Sequence, residues 1–232
     1  MLADKLRSAT YVASSGSVSY IAERSSSVDG GPFSTAVTLP AGYVIIAYET
    51  LGTTIGTNNP TITVDGVTAT DIYHTGRLTG SGTMFGYSGF VYVNVASAGS
   101  KTVVFTRGST WTGYAQVGLG FWSVYSGWNT TTVGTGFTNQ ALDPFGNTAS
   151  LTLTTSANKP IIAVYGNKGN SNVYRSSGAY GTAASSSTTI TTTAISVNNG
   201  ITWSGVTETY DVAADTTTSS LVQQFVAAIC LN

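Results

Sequence analysis

Charge is what this chain of 232 residues has least of: Lys and Arg number 9, Asp and Glu 10, so only 8% of residues are charged and the net charge is -1. Ordinary soluble domains carry about a quarter charged residues. Without clustered Lys and Arg to neutralise phosphates, nucleic acid is not an expected partner. The single cysteine, Cys230, cannot close an intrachain disulfide, which excludes the stapled scaffold of small secreted domains. The single histidine, His74, and the single cysteine leave no second residue of either type to build a His- or Cys-rich metal site. No run of about 18 apolar residues occurs, so membrane insertion is not expected. The charges at Asp4, Lys5 and Arg7 are followed by no apolar stretch of signal-peptide length, so the expectation is assembly in the cytoplasm. Helix signals are scarce as well, because Gly, Thr and Ser interrupt almost every window.

What fills the sequence instead is short runs rich in Val, Ile, Thr, Tyr, Phe and Trp, bounded by Gly, Pro, Asn, Asp or Ser: STAVTL, YVIIAYETL, PTITVDGV, GFVYVNVA, KTVVFTR, YAQVGLGFWSVY, SLTLTT, PIIAVYG, STTITTTAISV, GITWSGVTETYDV and SLVQQFVAAICL. That pattern predicts an all-β chain, an antiparallel sandwich or barrel. At this length the core can be large, with roughly 70 to 75% of the unfolded surface buried on folding. The last run carries bulky apolar residues on both faces, as a central or interface strand does. The Asp-Gly of VDG at 64–66 and the Asn-Gly of NNG at 198–200 suit tight hairpin turns. In the first, Asp65 is expected to accept backbone hydrogen bonds.

One strand is spelled twice. GYVIIAYETLG at 42–52 returns as KPIIAVYGNKG at 159–169, and the runs around each follow one order. The expectation is a sandwich of two divergent half-repeats, about 34–128 and 148–232, packed face to face within one domain spanning 31–232. Residues 126–147 read as the connection between halves and 181–189 as an exposed loop. Residues 1–30, Ser-rich and weakly periodic with YVA and VSYIAE as short extended candidates, read as an arm that orders only when docked on its own sandwich or on a neighbouring subunit, with Tyr11, Tyr20 and Ile21 as its candidate assembly contacts.

Little in the sequence has the form of reactive chemistry. His74 sits in DIYHTGR beside Asp71 and Arg77 and reads as a solvated loop histidine with a local charge partner. No GxSxG elbow surrounds a serine, and no calcium loop is present. Among the acids, Glu49, Glu208 and Asp211 lie in or beside predicted strands, where a projecting carboxyl could serve in glycoside hydrolysis, but no motif joins any two. The chain is therefore read as no enzyme, with no catalytic residue, metal or cofactor. Aromatic residues carry more information. They crowd into STWTGYAQVGLGFWSVYSGW, where Trp111, Tyr125 and Trp128 are candidate contacts for a glycan or a partner subunit, with Trp111 and Trp128 expected to be the most exposed.

The succession LPAGYVIIAYETLG, PTITVDGVTATDI, FVYVNVASAGSKTVVFTRG, YAQVGLGFWSVYSG, LTLTTSANKPIIAVYGNKG and VQQFVAAI, over about residues 34–232, resembles β-sandwich virion surface proteins of tailed bacteriophages and phage-like particles. The resemblance implies a jelly-roll-like sandwich acting as a capsid decoration, head fibre, spike or tail fibre, exposed on the virion. It implies other virion proteins and copies of itself as partners, with a host-surface glycan as a further one. It carries over no catalytic residue. Two other readings of the residues stand beside it: a carbohydrate-binding module or adhesin, and a jelly-roll capsid protein of a small icosahedral virus. The arm's mixed charges, Lys5, Arg7 and Arg24 against Asp4, Glu23 and Asp29, weaken the second of these.

Overall fold

The computed structural model describes residues 18–29, 31–54, 58–75, 78–79, 85–108, 112–128, 130–141, 150–154, 160–168, 174–183, 187–191, 201–211 and 221–231. Among the described residues there is no helix. In the first half the strands are β1 (Ser19–Asp29), β2 (Phe33–Leu39), β3 (Gly42–Thr54), β4 (Thr61–Val64), β5 (Val67–Thr68), β6 (Thr70–His74), β7 (Leu78–Thr79), β8 (Phe85–Val95), β9 (Gly99–Thr106) and β10 (Thr112–Val124). The second half adds β11 (Thr130–Ala141), β12 (Ser150–Thr154), β13 (Pro160–Lys168), β14 (Tyr174–Ala183), β15 (Ser187–Thr191), β16 (Ile201–Asp211) and β17 (Leu221–Leu231).

Four antiparallel pairings of the first half nest inside one another: β1 with β10, β2 with β9, β3 with β8, and β4 with β5. Such nesting is one long ribbon folded back at the β4–β5 hairpin. Asp65 makes that fold-back with φ of 48° beside Gly66 at φ of 80°, so both residues take the positive φ that a primed turn requires. Its carboxylate accepts the Thr102 N–H at 2.7 Å and lies 3.2 Å from Lys101 Nζ, which ties the turn to β9 and holds the Asp65 carboxyl below its ordinary pKa. Rolling the ribbon adds two further pairings, β10 with β3 and β9 with β4. The product is two sheets, β1-β10-β3-β8 with β6 and β7 added along β8, and β2-β9-β4-β5. This is the wrap of an eight-stranded jelly roll.

In the second half, β11 pairs with β17, β12 with β15 and β13 with β14, again nested, and β17 joins β13 as β10 joins β3. Among the described residues the wrap is the same, with no counterpart of the β4–β5 pair. β16 lies outside β14, as β6 lies outside β8. The repeated spelling does not, however, follow the faces. Ile45 and Ala47 turn toward the second half, whereas Val44, Ile46 and Tyr48 turn into the first roll. In β13 it is Ile162 and Val164 that turn toward the first half. Matching Ile45-Ile46 letter for letter with Ile161-Ile162 would put every side chain on the wrong face, because strand side chains alternate. Ile162, opposite Ile229, takes the place that Ile45 takes opposite Trp122.

Among the described residues, one core cluster lies on each face of the sheet that contains β3. Between it and the β2-β9-β4-β5 sheet lie Val37, Leu39, Val44, Ile46, Ile62, Val103, Phe105, Leu119 and Phe121 among others. On its other face Ile45, Ala47, Phe90, Trp122 and Val124 meet Ile162, Val164, Ala227, Ile229 and Leu231 of the second half. In β17 the intervening Ala228 and Cys230 are buried too, so this strand is apolar on both faces as its sequence predicts. Gly120 is where the seam packs most tightly: a Cβ there would lie 2.3 Å from the Trp122 indole, which therefore lies flat across the glycine.

Three boundaries differ from those read in the sequence: the expected loop 181–189 holds the end of β14 and the start of β15, and the arm and the connection between halves differ too. The last third of the expected arm is β1, the first strand of the roll, with Ile21 and Ala22 packed on the inner core and Tyr20 on the seam. Arg24 fastens it to β2 through the Ala36 carbonyl at 3.2 Å. The Ser-rich run SSSVD conceals this strand because it lacks bulky alternation, while its backbone still pairs along β10 as far as Asp29 opposite Tyr114. The expected connection 126–147 likewise contains β11, built on β-branched Thr and on Gly rather than on large apolar residues. Residues 1–17, with Tyr11, lie outside the described residues, as does NNG. Deleting residues 1–17 is expected to leave the thermal midpoint unchanged. Deleting 1–30 strips β10 of a neighbour and uncovers Ile21's site, costing roughly 3 kcal/mol or more. Melting both truncations by circular dichroism separates the two outcomes.

Candidate functional site

Three groups of side chains have the chemistry to do more than pack. The first surrounds the lone histidine. His74 ends β6, and its imidazole is only 10% exposed, so it is part of the wall of the roll and not the solvated loop residue expected. Its Nε2 lies 2.9 Å from Asp71 Oδ1, whose side chain is 60% exposed. With the ring proton on Nε2, Nδ1 accepts the O–H of Tyr48. Tyr87 donates to Asn59 Oδ1 alongside, with its ring 6.4 Å from the imidazole.

An acid, a histidine and a hydroxyl in a row have the order of a nucleophile-activating relay. The hydroxyl end closes off that chemistry. Tyr48 is fully buried, its ring lies 5.8 Å from Phe105, and burial pushes its phenol well above the ordinary value. Gly89 completes the enclosure, since a Cβ there would stand 2.6 Å from the Tyr48 hydroxyl and 2.5 Å from the Tyr73 carbonyl. An activated nucleophile needs access and a lowered pKa, and Tyr48 has neither. The row anchors β6 to β3.

The second group is a buried acid. Glu49 follows Tyr48 on β3 and so points the other way, to the face that carries Ile45 and Ala47. It is 4% exposed, with neither carboxyl oxygen hydrogen-bonded. Its cross-strand neighbour Ser88 is also buried with an unpartnered hydroxyl, and Gly118 stands opposite on β10. Desolvation pushes the Glu49 carboxyl well above its ordinary value of 4.5. Its expected role as a projecting strand acid does not fit this enclosure. Glu208 and Asp211 lie on β16, with side chains outside the described residues. Among the described residues no three His, Cys, Asp or Glu come together as metal ligands.

The third group is aromatic. Trp128 follows the Ser126–Gly127 turn, where Gly127 takes a φ of 79°. It is half-buried against Tyr92, at a centroid separation of 5.0 Å and 81° between planes, and against Tyr43 at 6.3 Å and 75°. Tyr43 and Tyr92 are 6.2 Å apart. Trp128 is thus less exposed than its Gly- and Asn-flanked position suggests. Tyr125 is half-buried, its phenol raised by burial and by the neighbouring Cys230. Tyr20, expected as an assembly contact, packs edge-on to Trp122 at 6.1 Å and donates to Glu23 Oε2 at 3.0 Å. Trp111 lies outside the described residues. Sequence reading missed Tyr43 and Tyr92. The signal was there, since both sit two residues before the apolar stretch that faces the seam or two residues beyond it. No family model and no curated protein matches this chain.

Glu49 generates a pH prediction. Because its folded pKa is raised, its stabilising protonated form is complete below pH 4.5, and stability is lost as pH climbs from there toward the folded value. The loss is at most about 1.4 kcal/mol per pH unit. Urea unfolding of the parent and of Glu49→Gln, compared from pH 4.5 to 7.5, should show the variant gaining relative stability as pH rises. Parallel pH curves would mean the carboxyl is not enclosed.

Proposed function

We propose that this chain is a non-enzymatic structural component of a virion of a bacteriophage or phage-like particle. It is exposed on the particle surface as a decoration, head fibre, spike or tail-fibre subunit after assembly in the host cytoplasm. The observation that carries the reading is an eight-strand jelly roll, an architecture used by viral shells and lectins, whose polar machinery is walled in: the Tyr48–His74 pair and Glu49 are enclosed rather than gathered in a cleft. The neutral, hydroxyl-rich composition supports it, because a subunit held in place does not depend on net charge to stay dispersed. Fold alone assigns no role. The reading therefore also rests on the phage-like succession of strand sequences.

Assembly would draw on other virion proteins and on further copies of the chain. Among the described residues β1 and β5 stand at ends of the two sheets of the first roll, the usual place for a neighbouring subunit to add a strand. A glycan-binding reading is favoured by one separate observation, the half-buried Tyr43–Tyr92–Trp128 cluster.

The decisive experiment is mass spectrometry and electron imaging of purified particles from cells that express the chain. The expected result is the intact chain in a fixed stoichiometry, with density on the outer surface. A version lacking residues 1–17 is expected to fold and to be absent from particles. Recovery of the chain only in the soluble fraction of lysed cells would end the particle assignment.

A further inference from the structure

The face of the central sheet that carries the seam is not covered along its whole length. Read across its open end, opposite residues run Val124, Tyr43 and Asn94 in one row and Trp122, Ile45, Tyr92 and Thr70 in the next. Directly opposed residues of an antiparallel pair share a face. Burial falls along this surface in steps. Trp122 and Ile45 are sealed, Tyr43 and Tyr92 are half-buried, and Asn94 and Thr70 are exposed. Trp128 stands over the step between the two tyrosines. The result is a small shelf with an aromatic back and an amide and a hydroxyl along its open side.

We propose that this shelf binds one neutral pyranose, the exposed residue of a glycan. Three strands at about 4.8 Å spacing and two residues of rise make a surface of roughly 10 by 7 Å, the size of a single sugar ring. Half-buried tyrosines and a tryptophan offer apolar area to the C–H face of a pyranose, and their polar tips stay wet. Asn94 supplies both a donor and an acceptor, and Thr70 a hydroxyl, for the equatorial hydroxyls of the ring. Neither row contains a Lys, Arg, Asp or Glu, so nothing there would pair with a sialate, a uronate or a phosphate. A protein partner is the poorer fit. Interfaces of that kind need an apolar centre of several hundred Å², whereas among the described residues the one large exposed hydrophobic is Val67, at 59%, in the β4–β5 hairpin. The inference rests on the shelf's geometry and not on the particle assignment, so the two can fail separately.

The test uses the full chain and saturation-transfer NMR with glucose, galactose, mannose and N-acetylglucosamine, each at about 20 mM, beside glucuronic and N-acetylneuraminic acids. Saturation of the ring C–H protons of at least one neutral sugar is expected. Binding should weaken by roughly tenfold in Trp128→Ala and about threefold in Asn94→Ala and Thr70→Ala. Asn94 and Thr70 are exposed, so their variants should keep the parent's melting midpoint and decide the matter should Trp128→Ala unfold. Silence across all the neutral sugars overturns the proposal, as does a preference for the acidic ones or undiminished binding in the Asn94 and Thr70 variants. Self-association of the parent that Trp128→Ala abolishes would assign the shelf to a second copy of the chain instead.

Discussion

The structure depends on one sheet being covered on both faces. β3, β8 and β10 must each present one set of side chains to the roll's inner core and the alternate set to the second half, so nearly every position in them is apolar, aromatic or glycine. That is why YVIIAY has no polar beat. It is also why polar residues in the middle of these strands, Glu49, Thr50 and Ser88, end up buried, while Asn94 and Ser123 near the strand ends do not. Removing the second half would expose Ile45, Phe90 and Trp122 together, a continuous apolar surface that a free jelly roll could not carry in water. The two halves therefore fold as mutual covers, and the seam between them is as much a core as the interior of the roll.

The buried polar groups mark where this arrangement carries a cost. Glu49, Ser88, Thr50 and the Trp122 indole N–H are enclosed without hydrogen-bond partners, and each such group costs about 1–3 kcal/mol relative to an apolar replacement of the same shape. Glu49 and Ser88 face one another on the seam side near the middle of β3, and Trp122 stands opposite Ile45 nearer its start. The Asp71–His74–Tyr48 row lies on the other face, beside Glu49 in β3. There the imidazole is bonded to the Tyr48 phenol through Nδ1, while its buried Nε2 lies beside the wetted Asp71 carboxylate without a hydrogen bond. Glycine at 89 leaves room for the phenol, just as glycine at 120 leaves room for Trp122.

Most of the fold can be read in the sequence, since strand periodicity is a local property. The apolar runs became strands, the VDG pair became the ribbon's fold-back, and the apolar duality of the last run became a strand buried on both faces. Order along the chain also raised the expectation of two half-repeats. Register could not be read in this way, because matching letters carry no information about faces, and the Ile-Ile pairs are offset by one residue between the halves. The Ser-rich end of β1, beyond the extended candidate VSYIAE, and the whole of β11 were obscured for a related reason. Their pairing is made by backbone groups, and their Ser, Thr and Gly side chains leave no hydrophobic rhythm to detect. His74 looked solvated because its neighbours in sequence are polar. Its neighbours in space, Tyr48 and Tyr87, come from strands 26 and 13 positions away and could not be inferred from spacing.

The candidate site was legible only in kind. Aromatic residues beside Gly and Asn pointed to Trp128, but the partners that give it a setting lie on β3 and β8, and only the sheet brings them to one place. Their identity follows from their place on the sheet, where burial falls from Ile45 through Tyr43 and Tyr92 to the exposed Asn94. A side chain at such a boundary must be apolar toward the seam and polar toward water. Isoleucine meets only the first demand and asparagine only the second. Tyrosine and tryptophan meet both, which is the physical reason that Tyr43, Tyr92 and Trp128 stand where the cover ends, with Ile45 behind them and Asn94 in front.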